Sequence, residues 1–147
     1  MIKEITWDEI YSVWSKYLWP NRSSAIEPNS AMIYLGGIDS NNFDYLPVFL
    51  GYYRDSKLIG VNSGHACSDK GFRSRGLWVD ANHRGRGIGR ILLVETITEA
   101  IKAGSDYVWS YPRKTSWRTY ESVGFKLTSS WHESETSDGN AYCHMKL

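Results

Sequence analysis

Apolar and polar positions alternate along the chain with two different periods, and the period changes mark its elements. Near the N-terminus Thr6 stands three residues before Glu9, the spacing of a capping box, and Ile10, Val13, Trp14, Tyr17 and Leu18 then recur at helical intervals. This predicts an amphipathic helix that Trp19-Pro20 stops. Between residues 21 and 42 no period survives, because Pro28, Gly36-Gly37 and Ser40-Asn41-Asn42 break it; the segment reads as a loop with one short helix, of the kind that shapes a pocket. Strands are expected over residues 47–53, 58–67 and 72–79, joined by the polar turns Asp55-Ser56-Lys57 and Asp69-Lys70-Gly71 into an antiparallel meander.

A polar, glycine-rich stretch over residues 80–89 then feeds a long helix carrying Ile88, Ile91, Leu92, Val94, Ile97 and Ile101 and closing at Gly104. The aromatic, β-branched run at residues 107–111 reads as a buried strand, and the helical crossover sets it parallel to the strand ending at Val79. A shorter helix at about 116–123 ends at Gly124, and strands at 125–131 and 141–147 flank the polar segment 134–140. No repeat, low-complexity tract or linker interrupts the pattern. One α+β domain over residues 1–147 is expected, with a mixed, mainly antiparallel sheet of six to seven strands flanked by helices.

Composition narrows the function. With 41% hydrophobic residues, 7 Trp and 10 Tyr, the chain is too rich in large apolar groups to be disordered. No apolar run reaches the ~18 residues of a membrane span, and Met1 to Asp8 lacks a basic region followed by an apolar one, so a soluble, cytoplasmic protein is expected. The two cysteines, Cys67 and Cys143, form no C-x-x-C pair, and no H-E-x-x-H occurs, so neither a disulfide framework nor a metal is expected. A net charge of +1 argues against nucleic-acid binding, yet Lys70, Arg73, Arg75, Arg84, Arg86 and Arg90 face only Asp80 within residues 70–90. That local excess suits an anionic ligand, or else a solvated basic face.

The segment Leu77-Trp78-Val79-Asp80-Ala81-Asn82-His83-Arg84-Gly85-Arg86-Gly87-Ile88-Gly89-Arg90 decides between them. Glycines at 85, 87 and 89 precede a helix whose first amides and positive end form a phosphate site, with Arg84, Arg86 and Arg90 adding charge. Alternate glycines are not G-x-G-x-x-G, and no G-K-[S/T] follows, which excludes a dinucleotide or NTP loop.

Arg84-x-x-Gly87-x-Gly89 after Leu77-x-Val79, with Tyr120-Glu121-Ser122-Val123-Gly124-Phe125 downstream, resembles the GNAT family of acyl-CoA N-acetyltransferases over about residues 72–126. The resemblance implies the GNAT acyltransferase fold, with acetyl-CoA as co-substrate. Its pantetheine arm would lie between splayed strands against the backbone of Leu77, Trp78 and Val79, and its pyrophosphate on Arg84, Gly85, Arg86, Gly87, Ile88, Gly89 and Arg90. It further implies direct attack of a primary amine on the thioester, with Tyr120 protonating the departing thiolate. Partners would be acyl-CoA and an amine-bearing small molecule or peptide, with no nucleic acid or membrane, the protein being a monomer or homodimer.

Two departures stand out. Arg113 occupies the position where the family often has Asn; either Thr115 or Ser116 would cap the following helix and substitute for it, or the basic pair Arg113-Lys114 would reach the CoA phosphates. Arg73 and Arg75 lie where relatives often keep a glutamate base, leaving His65 on the preceding strand to accept the amine's proton and Asp80 as a weaker alternative. Without that base, a non-catalytic acyl-CoA-binding or sensing domain is the competing reading. The acidic excess of residues 1–69, including Glu27, Asp39 and Asp44, points to a cationic acceptor.

Overall fold

In the computed structural model, which describes residues 1–134 and 137–147, Thr6 caps α1 (Trp7–Val13) with the expected reciprocal box. The Glu9 amide donates to Thr6 Oγ1 at 3.2 Å and the Thr6 amide to Glu9 Oε1 at 3.1 Å. The helix does not run regularly to Leu18. Trp14–Leu18 widens into a π turn, closed by the Trp19 amide on the Trp14 carbonyl at 2.7 Å.

The expected meander forms as β2 (Val48–Arg54), β3 (Lys57–Ala66) and β4 (Gly71–Val79), joined on its outer side by a short β1 (Ile2–Glu4). A crossover through α2 (Ile88–Lys102) leads to β5 (Tyr107–Ser110), which pairs parallel to β4. Then come α3 (Lys114–Val123), β6 (Lys126–Leu127), a separate ribbon of β7 (His132–Ser134) and β8 (Ser137–Asn140), and β9 (Cys143–Lys146). The main sheet has seven strands in the order β1-β2-β3-β4-β5-β9-β6, antiparallel except at β4/β5. No helix among the described residues is long and apolar enough to cross a membrane.

Helices α2 and α3 bury Leu93, Ala100 and Tyr120 against Phe72, Val108 and Phe125, and α2 buries Ile88 and Leu92 against Leu50 and Ile59, on one face of the sheet. On the other face Ile10, Val13 and Trp14 pack against Val61 and Phe49. The buried stripe of α2 is narrower than its apolar sequence: Ile91, Val94 and Ile101 face solvent, and the core position Thr96 is satisfied by the Leu92 carbonyl at 2.8 Å and Asn62 Nδ2 at 2.9 Å. The segment expected as a strand over 125–131 contributes only Lys126–Leu127 to the sheet. α3 starts earlier than its polar first turn suggested, with Arg113, not Thr115 or Ser116, in the cap position and no side-chain cap.

Strand β4 departs from regular pairing in two ways. It pairs with β5 only through Gly71↔Tyr107, Phe72↔Val108 and Arg73↔Trp109, then continues to Val79 while β5 stops at Ser110, so the sheet opens into a wedge. It also bulges at Gly76, whose φ of +79° favours glycine and whose carbonyl accepts from Trp14 Nε1 at 2.9 Å. A Cβ at Gly76 would fall 2.4 Å from the Trp14 indole.

Candidate active site

The chain between β4 and α2 is built around Asp80. Its carboxylate accepts from the Asn82 amide at 3.3 Å and pairs with His83 Nδ1 at 2.8 Å, and the His83 bond holds its pKa below the usual carboxylate range. Arg84 Nε donates to the Val79 carbonyl at 3.0 Å, folding the loop back on the strand. Gly87 then caps α2 with a φ of +81°, and nothing lies within 4 Å of where its Cβ would be. The amides of this first turn have no intrahelical acceptor.

The open space in front of Gly87 belongs to a groove of about 590 Å³ between the end of β4, this loop and the N-terminal half of α3. Leu77, Trp78, Val79, Arg84, Gly85, Gly87, Ile88, Gly89, Arg90 and Ser116 all line it; Arg86 does not. Tyr17 of the π turn stacks on Trp78, ring centroids 4.9 Å apart at 15°, as one wall. Arg113, Thr115, Arg118 and Thr119 of the α3 region line the groove as well, and Arg90 Nη1 ties α2 to α3 through the Ser122 carbonyl at 2.6 Å. Four guanidiniums and no Asp or Glu line this groove, so it suits a polyanion with an extended apolar arm.

A smaller cavity of about 70 Å³ lies in the wedge between β4 and β5 and shares Leu18, Leu77, Arg113 and Ser116 with the groove. Tyr120 of α3 lines it. Its ring, only 2% exposed, meets Phe125 edge-on, and its hydroxyl sits 2.9 Å from Ser74 Oγ and 3.1 Å from Ser110 Oγ. Asn62 Nδ2 donates to Ser74 Oγ at 2.9 Å, and Ser110 Oγ reaches the Ser74 carbonyl at 2.7 Å. If Ser74 and Ser110 both donate to the phenol oxygen, the Tyr120 proton is left for a group in the cavity. Burial pushes the phenol up to about 12, so it stays protonated at neutral pH.

Arg73 and Arg75 also line this wedge. The Arg73 guanidinium lies 4.9 Å from the centroid of the Trp109 ring, and that of Arg75 lies 5.0 Å from Trp14 and 5.2 Å from Trp19. Arg75 Nη1 donates to the Glu27 carbonyl at 2.8 Å, and Arg113 Nη2 to the Leu18 carbonyl at 2.7 Å.

His65 is set apart from both spaces. It is 1% exposed, Nδ1 lies 3.0 Å from the Ala66 carbonyl, Nε2 is buried with no partner, and it lines neither cavity. Burial first, then the charges of Arg73 and Arg75, depress it to about 4. Glu27, Asp39 and Asp44 also line neither cavity; Asp39 is engaged by Ser68 Oγ and the Asn41 amide. Both cysteines are buried and unpaired, and no group of three His, Cys, Asp or Glu among the described residues could hold a metal.

The sequence motifs thus meet in one place, at the wedge and the α2 N-terminus. Sequence reasoning missed the Ser74–Ser110 pair around Tyr120, for which only alternation along β4 and β5 gave a signal, and Arg118, one turn into α3.

Comparisons with known proteins give the family and the fold. The sequence profile of the acetyltransferase (GNAT) family matches residues 2–125. No curated protein sequence matches the chain. Among solved structures, a Lactobacillus plantarum protein assigned as an N-acetyltransferase is 18% identical, covering 99% of this chain and 98% of its own, with a TM-score of 0.70. A Salmonella typhimurium protein assigned as an acetyltransferase and solved with acetyl-CoA is 18% identical over 100% of this chain and 93% of its own, TM-score 0.68. The PaiA N-acetyltransferase of Thermoplasma acidophilum, solved with coenzyme A, is 22% identical over 69% of this chain and 61% of its own, TM-score 0.56. By sequence profile and by fold, the chain belongs to the GNAT family of acetyltransferases.

Proposed function

We propose that the protein transfers an acetyl group from acetyl-CoA to a primary amine, with Tyr120 as the general acid. The observation that carries this is the buried Tyr120 hydroxyl in a wedge that two strands leave open, in a cavity that shares Leu77, Arg113 and Ser116 with the cation-lined groove. The α2 first-turn amides beside Gly87, with Arg84, Arg90 and Arg118, would hold the pyrophosphate and nearby phosphates. Leu77, Trp78 and Val79, with Ser116 opposite, would flank the pantetheine arm.

In the reaction a neutral amine attacks the thioester carbonyl, a C–N bond forms and the C–S bond breaks. Tyr120 gives its proton to the departing thiolate, and the nitrogen loses its proton to solvent, from which the phenolate recovers one. A phenol held near 12 is a weaker acid than the thiol it protonates, so this transfer is uphill and is drawn forward by the return of a proton from solvent to the phenolate. His65 reaches neither cavity, and the acceptor's own equilibrium supplies the neutral amine.

Calorimetry with acetyl-CoA, followed by thiol release with a panel of amines, tests this reading. Binding with turnover supports it. Binding without turnover across the panel means a domain that only binds acyl-CoA, and failure to bind removes the acyltransferase reading altogether.

A further inference from the structure

Arg73 and Arg75 are charges that the acetyl-transfer chemistry does not use. They sit at alternate positions of β4, on the face opposite Ser74, and both line the wedge cavity beside Tyr120 but not the groove of Arg84, Arg90 and Arg118. The phosphates of acetyl-CoA are therefore already served elsewhere. Buried guanidiniums are ordinarily paired with carboxylates, because an uncompensated charge away from water is costly. Among the described residues neither makes an ion pair, Arg73 Nε is buried with no hydrogen-bond partner, and Arg75 is bonded only to a backbone carbonyl. Burial lowers both, Arg73 to about 10 and Arg75 to about 9, and each is lowered further by a neighbouring cation, yet both stay charged at neutral pH. No Asp or Glu lines the cavity.

The Trp109 ring lies against the Arg73 guanidinium and those of Trp14 and Trp19 against that of Arg75, and with Arg75 Nη1 taken by the Glu27 carbonyl the remaining N–H groups, Arg73 Nε among them, are left for a partner. A carboxylate is the partner that fits such a fork in bidentate fashion. The cavity, at about 70 Å³, admits a small head group and not a bulky cation. We propose that the acceptor carries a carboxylate next to its amine, as a free α-amino acid does, and that Arg73 and Arg75 hold this carboxylate while the amine faces the thioester. This reading rests on the acetyltransferase function and reverses the cationic acceptor expected from the acidic residues Glu27, Asp39 and Asp44.

The test uses the full chain and matched acceptors: the L-α-amino acids, their carboxamides and their decarboxylated amines, scored by thiol release from acetyl-CoA. The amides and amines bracket the amino acids in amine basicity, so a preference for the carboxylate is not an effect of the nitrogen. At least one amino acid should exceed both of its analogues by at least about 100-fold in kcat/KM. Arg73→Gln and Arg75→Gln should each raise KM for that amino acid by about tenfold or more, Arg73→Lys should recover part of the loss, and acetyl-CoA affinity by calorimetry should stay unchanged. Equal or faster turnover of the analogues, or turnover of none of the three classes, overturns the proposal. So does an unchanged KM in a folded arginine variant. Turnover of amines alone would leave the acetyltransferase standing, whereas failure to bind acetyl-CoA would remove both.

Discussion

Replacing Tyr120 with Phe removes one oxygen atom and leaves the ring. The ring is 2% exposed and packed edge-on to Phe125 at 5.1 Å, so no cavity larger than a hydroxyl opens. Two hydrogen bonds are lost, to Ser74 Oγ at 2.9 Å and Ser110 Oγ at 3.1 Å, but neither serine is stranded. Ser110 keeps the Ser74 carbonyl at 2.7 Å, and Ser74 keeps Asn62 Nδ2 at 2.9 Å. The cost in stability should therefore be about 1 kcal/mol, the low end for a buried hydrogen bond. Loss of a positioned general acid costs ~100-fold or more in the chemical step, so rate and stability should separate cleanly. Because burial holds the phenol near 12, wild-type turnover should show no alkaline limb between about pH 7 and 10; the hydroxyl begins to lose its proton only above that window. The assay is single-turnover thiol release at about pH 8, inside that window, with calorimetry confirming unchanged acetyl-CoA affinity. A Tyr120→Phe variant at the wild-type single-turnover rate would refute the acid role, and an alkaline limb centred near about pH 9 that vanishes in the variant would refute the assigned acidity.

Three further outcomes are expected. Gly87→Glu puts a carboxylate into the groove of Arg84 and Arg90 at a φ of +81°, and should weaken acetyl-CoA binding at least about tenfold by calorimetry, with about 1 kcal/mol of backbone strain in the melt; unchanged affinity in the folded variant would reject the phosphate site. Gly76→Ala drives a Cβ to 2.4 Å from Trp14 and should cost at least about 2 kcal/mol in urea unfolding, and a wild-type midpoint would show that the Trp14–Gly76 lock is loose. His65, depressed to about 4 when folded against 6.5 as its ordinary value, binds fewer protons folded than unfolded, so its contribution is present above pH 6.5 and lost as pH falls toward 4. Unfolding free energy should drop by up to about 3 kcal/mol across that window, and His65→Gln should flatten the drop; an unchanged slope would place the acid sensitivity in other groups.

How much of the fold and site is legible in the sequence depends on the range of the interactions involved. The capping box, the meander and the glycine-rich entry to α2 are local patterns and form where the period places them. β1 escapes because Ile2-Lys3-Glu4 is too short to show a period and is a strand only through its pairing with Leu50–Tyr52. The β7/β8 ribbon lies in a polar segment with no hydrophobic face to announce it. The π turn at Trp14–Leu18 preserves apolar spacing, so periodicity does not distinguish it from α-helix. Within the site, the loop residues and Tyr120 are readable as motif, while their neighbours are not. His65 is suggested by its chemistry alone, and depth within the sheet, which one sequence does not encode locally, sets it apart from both cavities. Arg73 and Arg75 read in sequence as a missing glutamate, and only their shared cavity gives them a reason of their own.

Because β4 outruns β5, this sheet carries an edge in its middle. Part of the backbone between Ser74 and Val79 lacks its lateral rungs, the condition that elsewhere invites another chain to add a strand. Here residues of α3 and of the π turn line the cavities at the gap, and a slender amide-bearing molecule could take the place of the missing strand. Such a ligand would act as a substitute strand and complete the ladder, coupling occupancy to the cooperativity of the whole sheet. Amide hydrogen exchange along residues 74–79 would then slow on saturation, and the melting temperature would climb with ligand concentration, even though the ligand touches only the rim of each half.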